Sequence, residues 1–115
     1  MPQTDVLLLG ATPGGLMAGI AAAEAGSHAV VLERSAHIGG LPANGLGATD
    51  IGTRGATAGL FRRFTRRVQA HYDATYGRDS QQAKDASDGH HFEPSVAEAI
   101  FTAMVAETKG LTVLT

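Results

Sequence analysis

The sequence predicts an α/β fold built on a parallel sheet, because a strand–helix–strand unit opens the chain and glycines sit at its junctions. Asp5-Val-Leu-Leu-Leu-Gly10 is a continuous apolar run closed by glycine, the pattern of a strand buried on both faces. Gly15 to Ala25 is rich in Ala, Leu and Met, which are good helix formers, and Gly26 follows as the stop. Ala29-Val-Val-Leu-Glu33 reads as the second buried strand. Residues 35–59 then hold seven glycines with no helical or strand period. A loop of that length inside a compact domain is usually functional.

Helical spacing returns from Leu60 to Tyr72, with Leu60, Phe61, Phe64, Val68 and Tyr72 on one side. Residues 77–93 read as a polar excursion, exposed from Gly77 to Gly89. Pro94 suits the first turn of another helix, where Ser95 and Glu98 have capping-box spacing. Val96, Ile100, Phe101, Met104 and Val105 give that helix its apolar face, and Gly110 ends it. Leu111 to Thr115 is the third strand. The expected sheet has three parallel strands in the order 3-2-1, flanked by helices.

Composition narrows the function. At about 150 residues per domain, 115 residues make one domain or part of one. Apolar residues at 43% and charged residues at 17% allow a core and argue against disorder. A net charge of −2 excludes a strongly basic nucleic-acid module, and a chain without tryptophan makes a poor base-stacking platform. The absence of cysteine excludes disulfide scaffolds, thiolate metal sites and cysteine nucleophiles. Val6 to Gly26 is apolar, but the first cation is Arg34, and Thr12-Pro13-Gly14-Gly15 and Glu24 interrupt the run. It reads as buried strand and helix rather than leader or membrane span. A cytoplasmic protein without nucleic-acid or membrane partners is expected.

The informative motif is Gly10-Ala-Thr-Pro-Gly-Gly15, between the first strand and its helix. A dinucleotide fold needs Gly10 for the tight turn and Gly15 for close helix–strand packing. Pyrophosphate then meets free N–H groups and the positive end of the helix dipole. Thr12 replaces the middle glycine of the usual fingerprint, and Gly19 extends the close approach of helix to sheet. Glu33 ends the second strand at the spacing of an acid that binds a ribose diol and repels a 2′-phosphate. Together these features predict a Rossmann-like, three-layer dinucleotide-binding fold.

A glycine pair, Gly39-Gly40, follows the acid in Arg34-Ser-Ala-His-Ile-Gly-Gly40. This resembles the N-terminal FAD signature of glutathione-reductase-like flavoproteins. Leu41-Pro-Ala-Asn-Gly-Leu-Gly-Ala-Thr-Asp50 and His91-Phe-Glu-Pro-Ser-Val-Ala-Glu98 are similar to the FAD-dependent oxidoreductase family that includes xanthan lyase-like flavoproteins. The resemblance covers nearly the whole chain, residues 1–115, as the N-terminal part of an FAD-binding domain. It implies that Gly10, Thr12, Pro13, Gly14 and Gly15 face the pyrophosphate and Glu33 the adenosine ribose. Arg34 is implied near the adenosine end, Gly39 and Gly40 in the extended cradle, and Asn44 and Gly45, with the residues to Gly47, towards the flavin. Thr12 fits a Gly-x-Thr variant of that family. Family members are several times longer, and the strand with a Gly-Asp end that holds the ribityl chain has no counterpart here, so a truncated domain is expected. No catalytic residue is assigned.

The function expected is FAD binding within a flavin-dependent oxidoreductase acting on a small-molecule substrate. A nicotinamide-dependent dehydrogenase domain is the alternative, disfavoured by Gly39-Gly40, and a non-catalytic nucleotide-binding remnant is a third. Self-association through an unpaired sheet edge is also expected. Other candidates carry less. His90 and His91 are adjacent and would point to opposite faces of an extended segment, so with Glu93 they make a poor metal site. Arg62, Arg63, Arg66 and Arg67 suggest a solvated helix face or pairing with the acidic region 79–98. His71 and Tyr72 are acid–base candidates, though a helix-surface histidine has no visible partner, and Asp50 reads equally as a substrate contact or a turn cap.

Overall fold

The computed structural model of the chain describes residues 3–115. Strand β1 (Val6–Leu9) leads into helix α1 (Pro13–Glu24), which returns to β2 (Ala29–Leu32). Two short turns of helix, Pro42–Leu46 and Arg54–Ala56, interrupt the glycine-rich loop. Helices α2 (Gly59–Tyr76), α3 (Gln81–Asp85) and α4 (Pro94–Ala106) precede β3 (Leu111–Leu114). Both pairings within the sheet are parallel, and β2 lies between its neighbours in the expected order. The fold is α/β and Rossmann-like.

Helix α1 starts two residues earlier than its composition suggests, and the reason is its cap. Thr12 occupies the N-cap, its Oγ1 accepting the Gly15 N–H, while Pro13 takes the first turn, where no N–H is needed. Gly15 and Gly19 let the helix lie flat on the sheet. A Cβ at Gly15 would overlap the Gly10 carbonyl oxygen, and one at Gly19 would sit 2.9 Å from Leu111 Cδ1.

The core lies between the sheet and the helices. Leu16, Ile20, Val31, Val68 and Phe101 are fully buried, and Leu8, Leu111 and Val113 pack against them. Phe64 of α2 stacks on Phe101 of α4 at 4.5 Å and meets Phe92 edge-on at 5.5 Å. The opposite face of the sheet is bare: Leu7 is 57% exposed, Leu9 81% and Leu114 52%, with Leu32 aligned between Leu9 and Leu114. The apolar run of β1 was expected to be buried on both faces, but in this chain the helices cover only one.

Other local expectations change for physical reasons. Helix α2 runs on to Tyr76, stopped by Gly77 at φ 92°. The excursion after Gly77 contains α3, capped by Ser80, and buries Ala83 and Ala86 in the core. At α4 the N-cap is Glu93 rather than Ser95, and Pro94 is the first helical residue. Glu98 therefore closes no capping box; its carboxylate accepts from the Ile38 N–H at 3.3 Å and bonds His37 Nδ1 at 3.0 Å. Among the described residues, no helix is long and apolar enough to cross a membrane.

Candidate cofactor site

The parallel sheet ends both β1 and β2 at the same edge, and this places Gly10 beside Glu33. Gly10 N–H donates to Leu32 O at 2.7 Å, holding the turn against the neighbouring strand. Gly10 adopts φ 93°, which a side chain would strain. Glu33 Oε2 accepts the Ala11 N–H at 2.8 Å; Oε1 accepts the Ser35 N–H at 2.9 Å and the Ser35 hydroxyl at 3.0 Å. These bonds, led by the one from Ala11, hold the Glu33 carboxyl below the usual carboxylate range. The charged form is the one this turn is built around.

A cleft of about 760 Å³ opens over this edge, lined by Leu9, Gly10, Thr12, Leu32, Glu33, Arg34, Ser35, His37, Gly40 and Asn44. Six of these were expected from the sequence as ligand contacts: Gly10, Thr12, Glu33, Arg34, Gly40 and Asn44. Asn44 Nδ2 donates to Gly40 O at 2.7 Å, tying the loop to the second glycine of the pair. Gly40 lies against Thr12 and Pro13, so a Cβ there would come within 3.0 Å of Pro13 Cδ.

The remaining expected residues sit around the cleft rather than in its wall. Gly15 is turned towards Gly10 and serves packing. Gly39 donates its N–H to Ala11 O at 2.7 Å, and a Cβ on it would meet Phe101 at 2.7 Å. It supports the turn from behind. Pro13 and Gly14 open onto a neighbouring apolar cleft of about 510 Å³, shared with Met17, Leu46, Phe61, Phe64, Phe92 and Phe101. Gly45 has open space around the position of a Cβ. Thr12 lines both clefts and so stands at their junction.

The turn has donors to spare. Among the described residues, the N–H groups of Thr12 and Gly14 take no internal acceptor, and both sit at the start of α1. An anionic group there meets unpaired donors and the helix dipole together. Glu33 presents a carboxylate in the same cleft, a fitting acceptor for a diol. This donor set, with the close glycine approaches, fits the adenosine and pyrophosphate portions of a dinucleotide.

Sequence reading missed Ser35 and His37. Ser35 fixes the acid from two residues downstream, and its hydroxyl also donates to His37 O at 2.9 Å. A hydroxyl two residues past a strand-ending acid was the signal available. No local signal pairs His37 with Glu98, which lie 61 residues apart.

The other candidates resolve into structure. His90 is buried, with Nδ1 2.7 Å from Thr49 Oγ1, and burial pushes its pKa down. His91 forms an isolated antiparallel bridge with Ala48. Glu93 Oε2 accepts the Tyr72 hydroxyl at 2.9 Å, and the Glu93 N–H donates back to Tyr72 Oη at 3.0 Å. Among the described residues, no three His, Asp or Glu side chains converge to hold a metal. The arginine cluster does not pair with residues 79–98: Arg63 engages Glu24 and Arg67 engages Glu107. Asp50 adopts φ 53° at an exposed turn.

The fold places the chain in the Rossmann-like α/β class. The family model described as FAD dependent oxidoreductase matches residues 5–115, and the chain belongs to that family. A comparison with curated proteins returned no match.

Proposed function

We propose that this chain binds FAD and forms the adenosine-diphosphate end of the cofactor site in a flavin-dependent oxidoreductase. The observation that carries the proposal is that the Glu33 carboxylate lines one cleft with Gly10 and with Thr12, the N-cap of α1, and accepts the N–H of Ala11 between them. Membership of the FAD dependent oxidoreductase family supports FAD over a nicotinamide cofactor. Bound FAD supplies the two-electron acceptor for a small-molecule substrate.

Each residue then has a task. Glu33, held ionised by Ala11 and Ser35, accepts hydrogen bonds from the adenosine ribose. The N–H groups at the start of α1 receive the pyrophosphate, and Gly10 and Gly15 keep backbone close enough for that contact. Arg34 flanks the adenosine end, while Gly40 and Asn44 close the cradle. The apolar cleft beyond Thr12, reached by Leu46, takes the flavin side. The setting proposed is cytoplasmic.

The test is flavin retention. Purified protein reconstituted with FAD should show a bound-flavin absorbance spectrum and quenched flavin fluorescence, and excess ADP should release the flavin. Flavin that passes freely through a desalting column, with no response to ADP, would count against the proposal.

A further inference from the structure

Helix α2 carries four arginines in its first half, and the structure divides them into two pairs. Arg63 and Arg67, four residues apart and so on one side of the helix, are held by Glu24 and Glu107. Arg62 and Arg66, also four apart, have no acidic partner among the described residues, and both line a separate cleft of about 530 Å³. Arg54, from the short helical turn Arg54–Ala56, lines the same cleft. Three guanidinium groups from two segments therefore share one concavity, away from the residues of the cofactor cleft.

The neutral polar groups of this cleft are already committed. The Thr65 hydroxyl donates to Arg62 O at 3.2 Å and the Thr57 hydroxyl to Arg54 O at 2.8 Å. Gln69 donates to Asp73 and to Ala83 O, and its Oε1 accepts the Gly89 N–H at 3.1 Å. Two carboxylates stand at the cleft. Asp73 is engaged by Gln69 and lies 3.7 Å from Arg78; Asp88 is almost fully exposed and 3.8 Å from Arg54. The donors left over are guanidinium N–H groups, whose forked geometry matches carboxylate and phosphate oxygens.

The wall opposite α2 is held in an unusual backbone. Ser87, Asp88 and Gly89 are successive left-handed residues, at φ 53°, 58° and 78°. A Cβ at Gly89 would overlap the Thr65 carbonyl oxygen, so only glycine lets this turn press onto the helix. Arg54 Nη1 donates to Ser87 O at 3.0 Å, and the Thr49 N–H donates to His90 O at 3.0 Å, bracing the turn from the loop side. Left-handed non-glycine residues persist where surrounding contacts impose them, and such strain gathers at ligand sites. Here it holds the far wall fixed against Arg62 and Arg66.

We propose that the cleft between α2 and the Ser87–His90 turn is a second binding site, for a small multivalent anion bearing phosphate or paired carboxylates. Arg62 and Arg66 grip it from the helix, and Arg54 closes the third side. The site is independent of FAD binding, so either reading can fail without the other.

The experiment is an NMR titration of the 115-residue chain with two probes, inorganic phosphate and succinate, at constant ionic strength. The expected result is saturable shifts confined to residues 54–57, 62–70 and 88–90, with a Kd of about 1 mM. Side-chain Nε–H signals of Arg62 and Arg66 should move, while those of Arg63 and Arg67 stay. Arg62→Gln with Arg66→Gln should weaken binding at least fivefold, a loss of about 1 kcal/mol. Lys109→Gln, which removes an exposed charge elsewhere, should leave it unchanged. The tighter probe names the anion class. Shifts that never saturate, spread over all cations, or survive in the double variant overturn the proposal. Both substituted arginines are exposed and free of ion pairs among the described residues, so the variant's own spectrum verifies its fold.

Discussion

Glu33 Oε2 accepts the Ala11 N–H at 2.8 Å, so the acid that ends β2 is tied to the turn that ends β1. The residue proposed to hold the ribose also shapes the backbone proposed to receive the pyrophosphate. A substitution at Glu33 therefore acts on the turn as well as on the acid.

Two variants separate those roles. Glu33→Ala removes the ribose acceptor and the Ala11 bond, and should weaken FAD binding by about tenfold to a hundredfold while lowering the melting temperature. Glu33→Gln keeps a carbonyl oxygen for Ala11 and should recover most of the melting temperature, but not the full affinity. Fluorescence titration beside thermal melts checks both. An alanine variant that binds FAD like the parent would remove the ribose assignment.

Thr12 and Gly15 make an opposing pair of predictions. Gly15→Val should abolish dinucleotide binding, because any Cβ there overlaps the Gly10 carbonyl. Thr12→Gly should keep or improve binding, since it restores the common glycine, at a stability cost of only a few tenths of a kcal/mol for the lost cap. Thr12→Ala should cost about 1 kcal/mol, as alanine neither caps nor relaxes the turn. Chemical denaturation and FAD titration on the same proteins measure both quantities.

Acid should loosen the fold through three carboxylates together. Glu33, Glu24 and Glu107 all lie below their usual value of 4.5, lowered respectively by the Ala11 N–H, Arg63 and Arg67. A depressed carboxylate stabilises the fold above its unfolded pKa, and that contribution is lost as pH falls through the folded pKa. Stability should be flat from pH 7 to about 5 and fall below 4.5. Arg63→Gln with Arg67→Gln should flatten the acid limb. An acid limb unaltered in that variant would assign the loss to other groups.

Much of this was legible from glycine placement. Gly10, Gly15 and Gly19 mark where backbone must pass close to backbone or sheet, and the structure uses Gly15 and Gly19 that way. Alternation of apolar runs with helix formers gave the strand order as well. What stayed hidden was long-range: Glu24 and Glu107 as partners of Arg63 and Arg67, and Glu98 as the partner of His37, lie roughly 40 to 60 residues away. Ala83 and Ala86 bury inside a polar stretch because alanine carries no strong hydropathy signal. The continuous leucines of β1 promised burial on both faces, a rule of parallel sheets covered by helices on each side, while here Leu7 and Leu9 face outward.

That exposed face predicts an asymmetry between a buried and an exposed leucine. Leu16→Ala, at 0% exposure, should cost about 2–5 kcal/mol. Leu7→Thr, at 57% exposure, should change stability by less than about 0.5 kcal/mol. Contiguous exposed apolar surface promotes association, so Leu7→Lys should also reduce any self-association seen by sedimentation. Equal destabilisation by Leu16→Ala and Leu7→Thr would mean that both faces are covered.

Selection of FAD by the cleft at the ends of β1 and β2 is read out by a competitive titration. The protein is titrated with FAD by flavin fluorescence, and NAD and NADP are then used as competitors. FAD should bind tightest, and NADP should be roughly tenfold or more weaker, because its 2′-phosphate would face the ionised Glu33 carboxylate. NADP binding tighter than FAD, or FAD fluorescence that never saturates, would contradict the account.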